Sequence, residues 1–303
     1  MKHTFTFGLI GWPLEHSLSP FLHQSALQTL KLDGTYNLFP ISPGENAKLK
    51  QIINHMRERK LDGLNVTIPY KREIIPWLDW LTPTARTIGA VNTIYSQKGQ
   101  LVGENTDAPG FHNDLTAFLD RDSIRISPQG NPHALILGAG GAARAVAYAL
   151  MRHGWFITLA ARRLGQAREL VAGLLSSDIN GGVKNQAPCL SAISLQARAL
   201  APLVETLSLI VNATPLGMGR YTDQSPWPAK APFPDQAALY DLVYNPVETV
   251  LMQSARASGL VATNGRGMLV EQAALAFEIW TGQTAPRQAM HAAIQATRGG
   301  KIG

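Results

Sequence analysis

The sequence has one cysteine, Cys189, in 303 residues. That excludes an intrachain disulfide and a cysteine-based metal site, and it fits an inert packed thiol in a reducing cytoplasm. No stretch approaches the roughly 18 to 20 apolar residues that a membrane helix needs. Thr4 to Gly11 is apolar, but Trp12-Pro13-Leu14-Glu15-His16 interrupts it before any small-residue cleavage pattern, so it reads as a first strand. The eight histidines are dispersed, and His16 and His23 lack the i, i+4 spacing of helical metal ligands, so no metal is expected. Acidic residues are outnumbered, 21 to 27, for a net charge of +6. Apart from Arg57-Glu58-Arg59-Lys60 and Arg162-Arg163 the excess is scattered, with no aromatic interleaving. It suits small anionic ligands better than nucleic acid. There is no internal repeat, and the length accommodates two domains of ordinary size.

The chain turns on Gly103-Glu104-Asn105-Thr106-Asp107-Ala108-Pro109-Gly110. This polar turn ends one block of alternating strand and helix patterns and opens a linking helix, about Asp107 to Leu119, toward a glycine-rich signature at Gly138. Asp107 is either the cap of that helix or a carboxylate at a junction between two lobes, where ligand sites are favoured.

In the first block, Thr4 to Gly11, Thr35 to Ile41 and Leu61 to Ile68 read as strands, as does Ile88 to Tyr95. Ser19-Pro20 reads as a cap followed by proline at the first helical position. The mouth of that helix could hold an anion with the Ser17 and Ser19 hydroxyls, or Ser19 could simply cap it. Ser42-Pro43-Gly44-Glu45 has capping-box spacing and opens a helix to about Arg59. Asn65 and Thr67 share one face of the third strand, which Pro69 ends. Lys71 follows, either reaching back over that face or standing solvated at the surface. Asn92 brings an amide into an apolar setting, fit for a hydroxyl ligand or for a buried turn.

In the second block His133 to Leu137 is a buried strand, and Gly138-Ala139-Gly140-Gly141-Ala142-Ala143 opens a helix to about His153. This is a glycine-x-glycine-x-x-alanine dinucleotide fingerprint in its proper strand-turn-helix setting. The next strand, Trp155 to Ala160, runs into Ala161-Arg162-Arg163 with no acid for a ribose 2′-hydroxyl. Two guanidiniums suit a 2′-phosphate, which makes NADP the expected cofactor, or else they belong to a solvated loop. Ser176 to Ala187 reads as a surface excursion. Leu207 to Val211 and Ala238 to Val243 are further strands whose ends, Asn212-Ala213-Thr214-Pro215 and Tyr244-Asn245-Pro246, should lie at the ligand edge of a parallel sheet. Helices follow from Glu248, and on Gly267 to Trp280 the amide of Gln272 is the one polar group aimed at a ligand.

Taken together, Gly11-Trp12-Pro13, His16-Ser17-Leu18-Ser19-Pro20, Asn65-Val66-Thr67-Ile68-Pro69-Tyr70-Lys71, Gly89-Ala90-Val91-Asn92-Thr93, Asn105-Thr106-Asp107, the Gly138 loop, Asn212-Ala213-Thr214-Pro215, Asp241 to Pro246 and Met268 to Gln272 closely resemble the shikimate dehydrogenase family from end to end. The resemblance implies an α/β protein of two domains, a substrate domain with a mixed sheet and a Rossmann-type doubly wound parallel sheet. The expected boundaries are 1–105, completed by C-terminal helices over 247–303, and 106–246 for NADP.

It further implies NADP-linked reversible reduction of 3-dehydroshikimate to shikimate, on the route to chorismate and the aromatic amino acids. Lys71 and Asp107 would carry catalysis, and Ser17, Ser19, Asn65, Thr67, Asn92, Tyr244 and Gln272 would surround the substrate. Gly138, Ala139, Gly140, Gly141, Ala142, Arg162, Arg163, Leu242 and Gly265 form the expected cofactor set. Chemically, hydride delivery to a carbonyl leaves charge on oxygen, and an ammonium in reach stabilises it and supplies the proton. The expected protein is a cytoplasmic monomer or homodimer with no nucleic-acid or membrane partner. Ala161-Arg162-Arg163 departs from the family's usual Asn-Arg-Thr or Asn-Arg-Ser, and Arg266 stands where an apolar residue is expected. A quinate/shikimate dehydrogenase of broader specificity and a non-catalytic NADP-binding sensor are the alternatives; the sensor should have lost Lys71 or Asp107, and both are present.

Overall fold

A computed structural model describes residues 3–124, 132–176 and 190–297. Cys189 and nearly all of the expected excursion over 176–187 lie outside them. The chain divides into two compact units, Met1–Gly110 with Leu269–Gly303, and Phe111–Met268.

In the first unit, six described strands form one mixed sheet: β1 (Phe5–Gly11), β2 (Gly34–Pro40), β3 (Gly63–Val66), β4 (Trp80–Leu81), β5 (Thr93–Gln97) and β6 (Gln100–Glu104). Their order is β2-β1-β3-β5-β6-β4. β1 lies parallel to β2 and β3, while β5 runs antiparallel to β3 and β6. Its helices are α1 (Ser19–Thr29), α2 (Asn46–Arg57) and α3 (Pro83–Ile88), with the start of α4 (Asp107–Arg121). Ile10, Leu49, Ile53, Leu64, Val66, Tyr70 and Ile94 make a core against α2.

Local chemistry explains where these elements differ from expectation. Ser19 does not cap α1; it is the first helical residue, and the Ser17 hydroxyl accepts its N–H at 3.3 Å. Only half of the capping box forms, Ser42 N–H to Glu45 Oε2 at 2.8 Å, and α2 starts after it because Gly44 sits at φ +96°. Ile88 to Val91 is not strand. Thr82 caps α3 through Ala85 N–H, and Gly89 ends it in the left-handed conformation, so β5 begins only at Thr93.

The second unit holds β7 (His133–Leu137), β8 (Phe156–Ala161), β9 (Leu190–Ser194), β10 (Leu209–Asn212), β11 (Ala238–Asp241) and β12 (Val261–Asn264). Their order, β12-β11-β10-β7-β8-β9, is all parallel and is the doubly wound dinucleotide order read from the far edge. Helices α5 (Gly141–Arg152), α6 (Leu164–Ser176), α7 (Ala197–Leu200) and α8 (Val250–Ala257) accompany it. α9 (Arg266–Thr281) then leads back to the first unit, which α10 (Arg287–Ala296) completes.

The expected boundaries shift for a definite reason. Residues 247–268 carry not only helix but β12, which pairs with β11 along Ala238 to Asp241. A strand cannot leave its sheet without losing that ladder, so the return to the first unit comes at Leu269 rather than at 247. The exit likewise falls after Gly110 rather than 105. Among the described residues, no helix is long and apolar enough to cross a membrane.

Candidate active site

Lys71 stands in the turn that follows β3. The hydroxyl of buried Tyr70 lies 2.9 Å from the carbonyls of both Ile41 and Ser42, and the Lys71 carbonyl accepts Val91 N–H at 2.7 Å. The backbone is therefore held on both sides of the side chain, and Nζ reaches Asp107 Oδ2 at 2.5 Å. The side chains are 15% and 6% exposed, so this is a largely buried ion pair. A charge in that setting persists only when paired and hydrogen-bonded.

Asp107 opens α4, where a carboxylate meets the positive end of the helix dipole. It is not the residue that caps: Asn105 Oδ1 accepts Ala108 N–H at 3.1 Å. That leaves both Asp107 oxygens for side chains. Oδ2 holds Lys71, and Oδ1 accepts from Asn92 Nδ2 at 2.9 Å.

Asn92 is spent inside the protein. Its Oδ1 accepts Thr106 N–H at 2.7 Å, and its Nδ2 faces Thr106 Oγ1 at 2.9 Å, Asp107 Oδ1, and Gln272 Oε1 at 3.4 Å. One amide thus clamps two consecutive residues and fixes the Asp107 rotamer. Asn65 is committed in the same way. It accepts from Tyr36 Oη at 2.8 Å and donates to the Asn92 carbonyl at 3.1 Å and Thr93 Oγ1 at 3.2 Å. Burial pushes the Tyr36 phenol above its ordinary range, against a hydrogen bond from Ser19 that works the other way.

The structure therefore joins Lys71, Asp107, Asn92, Asn65 and Gln272 in one bonded network, with Ser19 beside Tyr36. Thr67 packs its methyl where a Cβ on Gly11 would stand, at the end of β1. Tyr244 belongs to the second unit, where its carbonyl accepts from Arg266 Nε at 3.2 Å. That bond gives Arg266 a structural task that no local pattern announced. Sequence reasoning missed Thr93, Thr106 and Tyr36; Thr106 lay inside the Asn105-Thr106-Asp107 motif, whereas alternation alone placed Tyr36 in a strand.

In the second unit the residues after β7 have the form of a nucleotide loop. Gly138 sits at φ +114°, and a Cβ there would meet the Ala213 carbonyl oxygen at 3.0 Å. A Cβ at Gly140 would enter open space, and no side chain caps α5. The first N–H groups of that helix are left for an anion. Fully buried Ala143 lets the helix close on the sheet.

Arg162 and Arg163 follow the end of β8, both exposed, and neither guanidinium has a hydrogen bond or ion pair among the described residues. Leu242 and Gly265 are brought together: a Cβ at Gly265 would stand 2.2 Å from the Leu242 carbonyl oxygen. Asn212, Asp241 and Thr249 tie the neighbouring loops, Asp241 accepting from Asn212 Nδ2 at 2.8 Å, Thr249 Oγ1 at 2.7 Å and Val243 N–H at 3.0 Å. Burial raises the Asp241 carboxyl to about 6 despite these donors. A glycine left bare on its outer side, an uncapped helix N-terminus and two unpaired guanidiniums fit a dinucleotide that carries an extra phosphate.

The chain is similar to known proteins over most of its length. Residues 9–94 match the model of the shikimate dehydrogenase substrate binding domain, and residues 265–295 match that of the shikimate 5'-dehydrogenase C-terminal domain. Shikimate dehydrogenase (NADP(+)) of Desulforamulus reducens is 41% identical over 285 residues, 93% of this chain and 92% of the relative. A solved shikimate 5-dehydrogenase from Thermus thermophilus, in complex with NADP(H) and shikimate, superposes with a TM-score of 0.79 at 35% identity, covering 97% and 99% of the two chains. Quinate dehydrogenase from Corynebacterium glutamicum, in complex with NAD, gives 0.82 at 27% identity, covering 97% and 99%. With an NADP(+) relative at 41% identity across nearly its whole length, the chain belongs to the shikimate dehydrogenase family.

Proposed function

We propose that the protein catalyses the reversible NADP-linked reduction of 3-dehydroshikimate to shikimate, on the route to chorismate and the aromatic amino acids. The observation that carries this reading is the buried Lys71–Asp107 pair held by Asn92. In the reductive direction Lys71 Nζ donates a proton to the substrate's keto oxygen as negative charge develops there. In the oxidative direction the neutral amine takes that proton from the hydroxyl. Asp107 holds the ammonium in place and has lone pairs left to accept from a substrate hydroxyl. Gln272 and Ser19 add polar groups that a polyhydroxy acid can use, with Ser17 and Thr67 nearby in sequence and sheet.

NADPH, when bound, supplies the hydride. In this reading Gly138 to Ala142 receive the pyrophosphate, Arg162 and Arg163 take the 2′-phosphate, and Leu242 and Gly265 line the adjoining edge of the sheet. The first unit is the substrate domain and the second the NADP domain, and Tyr244 is a further residue proposed for the substrate. The protein acts in the cytoplasm as a monomer or homodimer, which sedimentation of the purified chain distinguishes.

The test is initial-rate oxidation of shikimate and of quinate, each with NADP and with NAD, followed by the absorbance of the reduced nicotinamide. Strong preference for shikimate with NADP supports the reading. Comparable rates with quinate or NAD move the protein to the broader quinate/shikimate group. Tight NADP binding without turnover makes it a sensor.

A further inference from the structure

Gly110 lies one turn beyond Asp107 on α4 and is buried. A Cβ built there would stand 2.8 Å from the backbone nitrogen of Gln272 and 3.0 Å from both its Cα and Cβ. No real Cβ makes the first of these contacts, and what it meets is helix backbone rather than the yielding tip of a side chain. Glycine within a helix is disfavoured relative to alanine, because it gives up more backbone freedom and has no side chain to pack. Its presence here has a geometric return: α4 and α9 touch main chain to main chain at this point.

That contact fixes where one amide stands. Gln272 Nε2 donates to Leu269 O at 2.8 Å, folding the side chain along its own helix, and Oε1 lies 3.4 Å from Asn92 Nδ2. The same Nδ2 holds Asp107 Oδ1 at 2.9 Å. Any displacement of α9 from α4 at Gly110 carries the Gln272 amide away from the Asn92–Asp107 pair, because the amide is anchored to α9 rather than to the sheet.

We propose that Gly110 is a positioning residue for the substrate site: it sets the spacing of α4 and α9 that places the Gln272 amide against the hydroxyls of the bound acid. This rests on the function proposed above. Gly110 touches no substrate and acts only through Gln272, so its replacement weakens ground-state binding of shikimate more than it slows the proton transfer at Lys71.

Steady-state kinetics and equilibrium shikimate binding are measured together for the parent, Gly110→Ala, Gln272→Ala and the double variant, at saturating NADP. Expected is a rise in shikimate KM of about tenfold or more for Gly110→Ala, with kcat changed less than threefold. In the Gln272→Ala background the glycine substitution should then add less than twofold, since the amide through which it acts is gone. Gly173→Ala on α6, whose added Cβ would make only an ordinary contact at 3.7 Å, should leave shikimate KM unchanged.

Multiplying effects in the double variant, or a shikimate KM within twofold of the parent for folded Gly110→Ala, overturns the proposal. Should Gly110→Ala fail to fold, Gln272→Asn withdraws the amide by one methylene without touching α4. A tenfold rise in KM for that variant supports the positioning, and a KM within twofold overturns it. A parent that neither binds nor oxidises shikimate overturns the proposed function and this inference with it, whereas a normal parent with indifferent variants overturns the positioning alone.

Discussion

Tyr36 Oη donates to Asn65 Oδ1 at 2.8 Å, and both side chains are buried. Asn65 in turn donates to the Asn92 carbonyl, so a hydroxyl on an edge strand of the sheet steadies the residue that holds Asp107. Tyr36→Phe removes this donor and leaves a buried acceptor short of one bond. The expected loss is about 1–3 kcal/mol of stability, read as a lower urea midpoint with an unchanged m-value.

Lys71→Met removes the proposed proton donor while keeping the packed stem. The kcat for shikimate oxidation should fall by about 10²–10⁴-fold, with near-parent NADP affinity because the residues proposed for the cofactor lie in the other unit. Activity close to the parent would rule Lys71 out as the acid.

Arg162→Gln and Arg163→Gln test the 2′-phosphate assignment. A charge-assisted hydrogen bond contributes about 1.5–3 kcal/mol, so NADP KM should rise roughly ten- to a hundredfold for the arginine that makes one, and NAD turnover should stay as it was. Raising the salt concentration should weaken NADP binding in the parent more than in the double variant.

His23 gives the fold an acid limit. Its ring is fully buried, stacked on Tyr36 at 4.4 Å and 5°, with neither nitrogen partnered among the described residues. Burial lowers its pKa to about 3, against some support from Asn65. The unfolded chain binds a proton near its ordinary value of about 6.5, so the stabilisation is present above that and is lost as pH falls toward about 3. Between about pH 7 and pH 5 the loss is about 2 kcal/mol. Asp241, raised to about 6, acts in the opposite sense over much of this range, its contribution being present in acid and lost as pH rises. The diagnostic quantity is therefore the parent-minus-variant difference in urea unfolding at the two pH values. In His23→Phe the histidine contribution to the slope should disappear while that of Asp241 remains.

The parallel sheet was legible because its strands are buried apolar runs between strong punctuation: the Gly138 loop, Asn212-Ala213-Thr214-Pro215 and Tyr244-Asn245-Pro246. β9 and β12 were not, since Leu190 to Ser194 and Val261 to Asn264 are short and part polar and look like links between helices. Lys71 and Asp107 were legible as motif residues, and the structure adds the bonds that join them. Tyr36 and Thr93 stayed hidden because a hydrogen bond between side chains on different strands leaves no trace in local spacing. Ser19 misled for a related reason: proline after serine is a sound start signal, but the helix already includes Ser19, Leu18 holds the cap position without a side-chain cap, and the Ser17 hydroxyl accepts the Ser19 N–H.

The second unit is one uninterrupted segment, Phe111–Met268, whereas the first is assembled from both ends of the chain. During synthesis, the six strands of the parallel sheet leave the ribosome in full before α9 does. Once Met268 has cleared the ribosome, that sheet can be complete while Gln272 and the aromatic packing of Phe277 and Trp280 around Phe7 and His23 are still to come. The parallel sheet can mature during synthesis; the packing of the first unit must wait for α9.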